Sequence, residues 1–166
     1  MPEKETIERA RKDAREGKAP STQAGEFVRE EIEHIREGKH GARSTKQAIA
    51  IGLSKARRAG VKLPPPEKGK ASEETRTQAS RDYAKGQKTG AKKPSAKRSR
   101  AVRTALKHEG RQAASHAALS RQAHESAETR GAADRKKAAR KAVRTKGKAG
   151  LKSAARKAAR TRSARG

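Results

Sequence analysis

The large apolar residues of this chain are confined almost entirely to its first 63 positions. Ile7, Phe27, Val28, Ile32, Ile35, Ile49, Ile51, Leu53, Val61 and Leu63 all precede the run Pro64-Pro65-Pro66. Beyond it stand only Tyr83, Val102, Leu106, Leu119, Val143 and Leu151. A core needs bulky side chains to remove from water. The pattern therefore allows one small module followed by a long segment without a core of its own.

Charge runs the opposite way. Residues 1–63 hold fifteen Lys or Arg against ten Asp or Glu, whereas residues 64–166 hold thirty against eight, and the whole chain carries +27. Residues 135–166 contain fourteen bases and no acid. Low hydrophobicity with high net charge is the composition of disordered segments. We expect a mainly α fold: a small three-helix N-terminal module, 1–63, then a Pro/Gly/Lys-rich linker, 64–98. An Ala/Lys/Arg-rich basic tail, 99–166, follows, largely disordered or only conditionally helical.

Within the module the helix signals are local. The first helix is expected from Glu3 to Glu16, stopped by Gly17, with acids at its start. The second is expected to be capped by Ser21 or Thr22 and to end near Gly38. The third is expected to take Ser44 as N-cap with Gln47 in a capping box, and to stop at Gly60 with Val61 in a Schellman contact. Arg15-Glu16-Gly17-Lys18 and Arg36-Glu37-Gly38-Lys39 form a faint repeat, read as reused helix stop-and-start chemistry, with duplication or a shared binding loop as the alternative. On the second helix Val28, Ile32 and Ile35 share one face, and Glu26, Glu30, Glu33 and Glu37 form a stripe opposite. The stripe reads as a solvated face, or as a decoy that holds the basic tail when nucleic acid is absent. The third helix is expected to bury Ile49, Leu53 and Ala56 and to leave Ile51 exposed. So small a module buries only about 60% of its unfolded surface, which points to a loosely stable helical hairpin or to homo-oligomerisation through the N-terminal helices.

The tail repeats one basic word. Lys136-Lys137-Ala138-Ala139-Arg140-Lys141-Ala142-Val143-Arg144-Thr145 returns sixteen residues later as Lys152-Ser153-Ala154-Ala155-Arg156-Lys157-Ala158-Ala159-Arg160-Thr161. At about 100° per residue, Lys136, Lys137, Arg140, Lys141 and Arg144 cover an arc of about 140°, and Lys152, Arg156, Lys157 and Arg160 do the same. Gly147 and Gly150 lie between the copies as a hinge. Like charges at i,i+4 oppose the free helix, so folding is expected to be coupled to phosphate binding. The expected nucleic-acid contacts are these nine residues with Lys146, Lys148 and Arg162.

The backing face of each stripe is mostly alanine methyl, too little apolar area for a membrane-lying helix. Phe27 and Tyr83 are the only aromatics, which removes the stacking platforms of single-strand and base-reading modules. The expected partner is nucleic acid bound through its phosphates, duplex DNA ahead of RNA, and not a membrane. The function expected is sequence-nonspecific DNA binding and compaction. An RNA-binding or ribosome-associated protein and a hydrophilic disordered stress protein are the alternatives.

No enzyme, metal or cofactor is expected. Cysteine is absent, which fits a reducing compartment. His108-Glu109 and His124-Glu125 begin like H-E-x-x-H, but Gln112 and Glu128 stand where the second histidine is needed. His34, His40 and His116 complete the histidine set. Gly147-Lys148-Ala149-Gly150-Leu151-Lys152-Ser153 lacks the Gly-Lys-Ser of a P-loop. Met1-Pro2-Glu3-Lys4-Glu5 leads into no apolar stretch, so no secretory signal is expected. The location expected is the cytoplasm, at the nucleoid.

Two resemblances join this reading. Ser21-Thr22-Gln23-Ala24-Gly25-Glu26-Phe27-Val28, with Gly38-Lys39-His40-Gly41-Ala42-Arg43-Ser44-Thr45-Lys46-Gln47 and Pro64-Pro65-Pro66, resembles a bacterial domain family of unknown function over about the first 66 residues. The family has no established activity, so the resemblance implies a bacterial source and little more. The Lys-Ala-Ala-Arg-Lys-Ala words of the tail are similar to the C-terminal domain of linker histones and to bacterial histone-like tails, which implies DNA condensation without sequence preference.

Overall fold

The computed structural model describes residues 2–88 and 95–164. Among these residues the chain forms seven α-helices, one short 3-10 turn and no strand. The helices are α1 (Lys4–Arg15), α2 (Pro20–Arg36), α3 (Thr45–Arg58), α4 (Glu73–Gly86), α5 (Ala96–Lys107), α6 (His116–Thr129) and α7 (Ala132–Ser163), with the 3-10 turn at Gln112–Ala114. The chain divides into two compact units, 1–122 and 123–166.

The first three helices stand where their start and stop signals place them. Gly17, Gly38 and Gly60 adopt φ of 70°, 78° and 95°, a region that other residues enter only with strain. Each closes a Schellman motif. At the third, Gly60 N–H donates to Arg57 O and Val61 N–H to Ala56 O, both at 3.1 Å. Gly38 and Lys39 repeat the pattern onto Ile35 and His34, and Gly17 and Lys18 onto Ala14 and Asp13. The repeated Arg-Glu-Gly-Lys words are thus two copies of one helix-stop geometry. Ser44 Oγ accepts Gln47 N–H at 3.1 Å, while Gln47 Oε1 returns to Arg43 N–H rather than to Ser44. The α2 cap differs from expectation. Ala19 takes that position without a side-chain bond and Pro20 opens the helix, because proline at N1 is already set for helical φ and lacks only an orphan donor.

α2 is the central helix of the first unit. One cluster joins its Ala24 and Phe27 to Ala10, Ala56 and Val61, with Ile7, Leu53 and Leu63 against it. A second joins Ile32 and Ile35 to Ala42, Ala48, Ala113 and Ala114, with Val28 and Leu119 against it. Packing on several sides takes Glu30 out of the expected solvated stripe, whereas Glu33 and Glu37 keep exposed side chains, 46% and 57%. Glu30 is buried, Glu26 pairs with Arg9, Glu33 with Arg29 and Glu37 with Lys39. α3 is also rotated from the expected phase. It buries Thr45, Ala48, Gly52 and Ala56, leaving Ile49, Ile51 and Leu53 partly covered. Small residues at four-residue spacing let α2 and α3 approach closely.

The first unit extends well past Leu63. Within the stretch read as linker, of which residues 89–94 lie outside the described residues, α4 packs on α3. Its Ala79 and Asp82 are buried, and Asp82 accepts from Ser54 Oγ at 2.6 Å. Arg57 turns back to donate to Leu63 O and Pro64 O, fixing the chain as it enters the proline run. The end of α5 and the segment after it close the second cluster. Thr45 Oγ1 donates to Ala113 O at 2.7 Å, Arg36 Nε to Ala114 O at 2.9 Å, and Gly41 N–H to Leu106 O at 2.8 Å. Composition hid this contribution, because alanine fills the gap without registering as a core residue.

The second unit corrects the expectation of a largely disordered tail. Residues 132–163 are helical apart from Gly147, whose φ of 63° and ψ of 176° break the helix in two. Alanine, lysine and arginine are all strong helix formers, and over this length their summed preference outweighs i,i+4 repulsion worth only tenths of a kcal/mol per pair. No helix among the described residues is long and apolar enough to cross a membrane.

Candidate nucleic-acid interface

All twelve expected contact residues lie in α7, and all are exposed. Lys136, Lys137, Arg140, Lys141, Arg144 and Lys146 precede the Gly147 break. Lys148, Lys152, Arg156, Lys157, Arg160 and Arg162 follow it. The helix brings the first five into one arc, and Lys152, Arg156, Lys157 and Arg160 into another. Lys146 and Arg162 fall at the same phase of their copies, about 280° from the first lysine, and so stand off both arcs. Five cations across nine residues span about 12 Å of helix, against about seven phosphate charges on the same length of duplex DNA. The two charge densities are comparable, which suits continuous phosphate contact.

The hinge has a geometric consequence. A sixteen-residue repeat on an unbroken helix would rotate the second stripe about 160° from the first, placing the two on opposite faces. The break at Gly147, expected from the sequence at Gly147 and Gly150 together, frees the stripes from that opposition. Gly147 alone leaves helical conformation. Its φ and ψ lie in a region that is essentially glycine-only.

The first unit holds a second polar concentration that sequence reasoning passed over. Glu31 and His34 stand one turn apart on α2, and His40 follows the Gly38 stop. One ligand atom from each of the three lies within 4.8 Å of the others. Glu30 and Glu31 are fully buried, and Lys55 from α3 pairs with both, at 3.7 Å and 2.5 Å. Glu3 receives Nε2–H of His34 at 2.8 Å and Lys39 Nζ at 3.3 Å, and these bonds, the histidine's first, hold its carboxyl below the usual range. The sequence signal was a Glu-x-x-His spacing, which puts both groups on one helix face. His108 caps α5, and His116 and His124 lie in α6.

Residues 4–68 match the model of a family of unknown function (DUF6496), as the N-terminal resemblance implied. No curated protein and no solved structure matches the chain. The family match ends before α7, so the tail rests on its own chemistry.

Proposed function

We propose that this protein binds duplex DNA through its phosphates, without reading sequence, and compacts it at the nucleoid. The observation that carries the reading is α7, a thirty-two-residue helical segment exposed at all positions but Gly150 and Leu151, whose two basic arcs are backed by alanine and interrupted only at Gly147. Phosphate neutralisation is the one recognition mode that such a surface supplies, since it offers no aromatic platform and places no Asn or Gln among its bases. Two stripes on a hinge can follow one duplex or join two, and joining duplexes is what compaction requires.

A gel shift with the full chain tests the reading, using long duplex DNA of two unrelated sequences, ribosomal RNA and heparin across a salt series. The expected result is equal affinity for both duplexes, competition by heparin and weakening as salt rises. A preference for RNA over duplex at every salt would move the function to the ribosome. Binding to none of the polyanions at low salt would end both readings.

A further inference from the structure

We infer that Glu31, His34 and His40 form a binding site for a divalent first-row metal ion of the zinc class, with the Glu30 carboxylate adjoining it. The hydrogen bonds of the two histidines point to it. His40 Nδ1 lies 3.1 Å from Gly41 O. A carbonyl only accepts, so Nδ1 carries the proton and Nε2 keeps its lone pair. That Nε2 stands 3.4 Å from Glu31 Oε1. His34 Nε2 donates to the Glu3 carboxylate at 2.8 Å, which leaves Nδ1 as its lone-pair nitrogen, 4.0 Å from Glu30 Oε1. Each histidine thus has one ring nitrogen held by a carbonyl or carboxylate and the other turned to a buried carboxylate. Metal-ligating histidines are oriented in this way.

The carboxylates supply the second, independent sign. Glu30 Oε1 and Glu31 Oε1 are buried without a hydrogen-bond partner, while Oε2 of each is engaged, by Glu3 N–H and by Lys55. Two buried carboxylates face one lysine, an excess of one negative charge where burial of unpaired charge is costly. A divalent cation at the free oxygens supplies the missing positive charge and leaves the Lys55 pair intact. Tetrahedral ligands at about 2.0–2.2 Å from zinc are about 3.4 Å apart, the His40–Glu31 separation already present. The site joins α1 through Glu3, α2, the α2–α3 connector and α3 through Lys55. Its ligands are at most 15% exposed, so the role is structural: a clamp for a core built mainly from alanine.

The test uses the full-length protein, stripped with chelator and titrated with zinc chloride at pH 7.5 against a chromophoric competitor. We expect one zinc per chain, a rise in the unfolding midpoint with zinc, and movement of two of the five histidine ring resonances. His34→Ala and His40→Ala should weaken binding about tenfold or more, and His116→Ala and His124→Ala should leave it unchanged. Cobalt bound to the wild-type chain should give the visible spectrum of a tetrahedral nitrogen–oxygen site, a readout that survives any folding defect of the variants. Binding with all five histidines unmoved, or no saturable binding below about 10 μM with no cobalt spectrum, would overturn the assignment.

Discussion

Gly52 of α3 lies directly against Val28 of α2: a Cβ on Gly52 would stand 2.6 Å from Val28 Cα. Two effects oppose each other in Gly52→Ala. Helix propensity favours alanine by about 1 kcal/mol. The clash is with backbone, which cannot rotate away, and overpacking of this kind costs about 1–3 kcal/mol. The clash should win. Denaturant titration should show Gly52→Ala less stable than wild type, and Gly52→Val less stable again.

Thr45 and Ala113 join α3 to the segment after α5 through a buried hydrogen bond. Thr45→Val keeps the shape and removes the donor, leaving the Ala113 carbonyl without its partner. The cost expected is about 1–3 kcal/mol. It should appear as a lower urea midpoint with an unchanged slope. No loss would mean that the Thr45–Ala113 bond contributes nothing to the stability of the first unit.

Lys18 bridges Asp13 and Glu16 after the first helix stop. Its hydrogen bonds to Asp13 and Glu16 raise its pKa, and the Lys18 bond lowers that of Glu16 below 4.5. A depressed carboxylate stabilises the fold above its unfolded pKa, and that stability is lost as pH falls through the folded value. Lys18→Met should therefore lower the thermal midpoint by a constant amount between about pH 5 and 9. The gap to wild type should narrow below pH 4.5, as thermal scans across pH would record.

Gly147→Ala should convert α7 into one continuous helix, since alanine does not hold φ of 63° with ψ of 176°. Helical circular dichroism should rise. The stripes would then sit about 160° apart, so one short duplex could engage only one of them. The salt slope on a short duplex should fall by about half, while light scattering from long DNA, which reports bridging, should persist.

Much of the architecture was legible in local chemistry. Gly17, Gly38 and Gly60 marked three helix ends, Ser44 marked a helix start, and the repeated basic word marked both stripes and the glycine break. What was not legible depended on small or polar residues in tertiary contact. Ala113 and Ala114 complete a core, yet alanine in a basic segment reads the same whether buried or exposed. Glu30 read as surface, and Glu31 went unread, because carboxylates are almost never buried unless partnered, and their partners Lys55, His34 and His40 come from three places in the chain. α3 was phased on its large residues, whereas Gly52 and Ala48 decided which face could approach α2. α7 was judged by its repulsions, which are each smaller than the helix preference of the residues that carry them.

The central claim is that α7 holds DNA by phosphate contacts. Fluorescence anisotropy of a labelled duplex with the full chain, over a salt series, measures the number of those contacts. With about ten bases engaged, the log–log slope should be near −9 and equal for unrelated sequences. Replacing Lys136, Lys137, Arg140 and Lys141 by glutamine should reduce its magnitude by about 3.6. A slope near zero, or one unmoved by those four substitutions, would contradict the account.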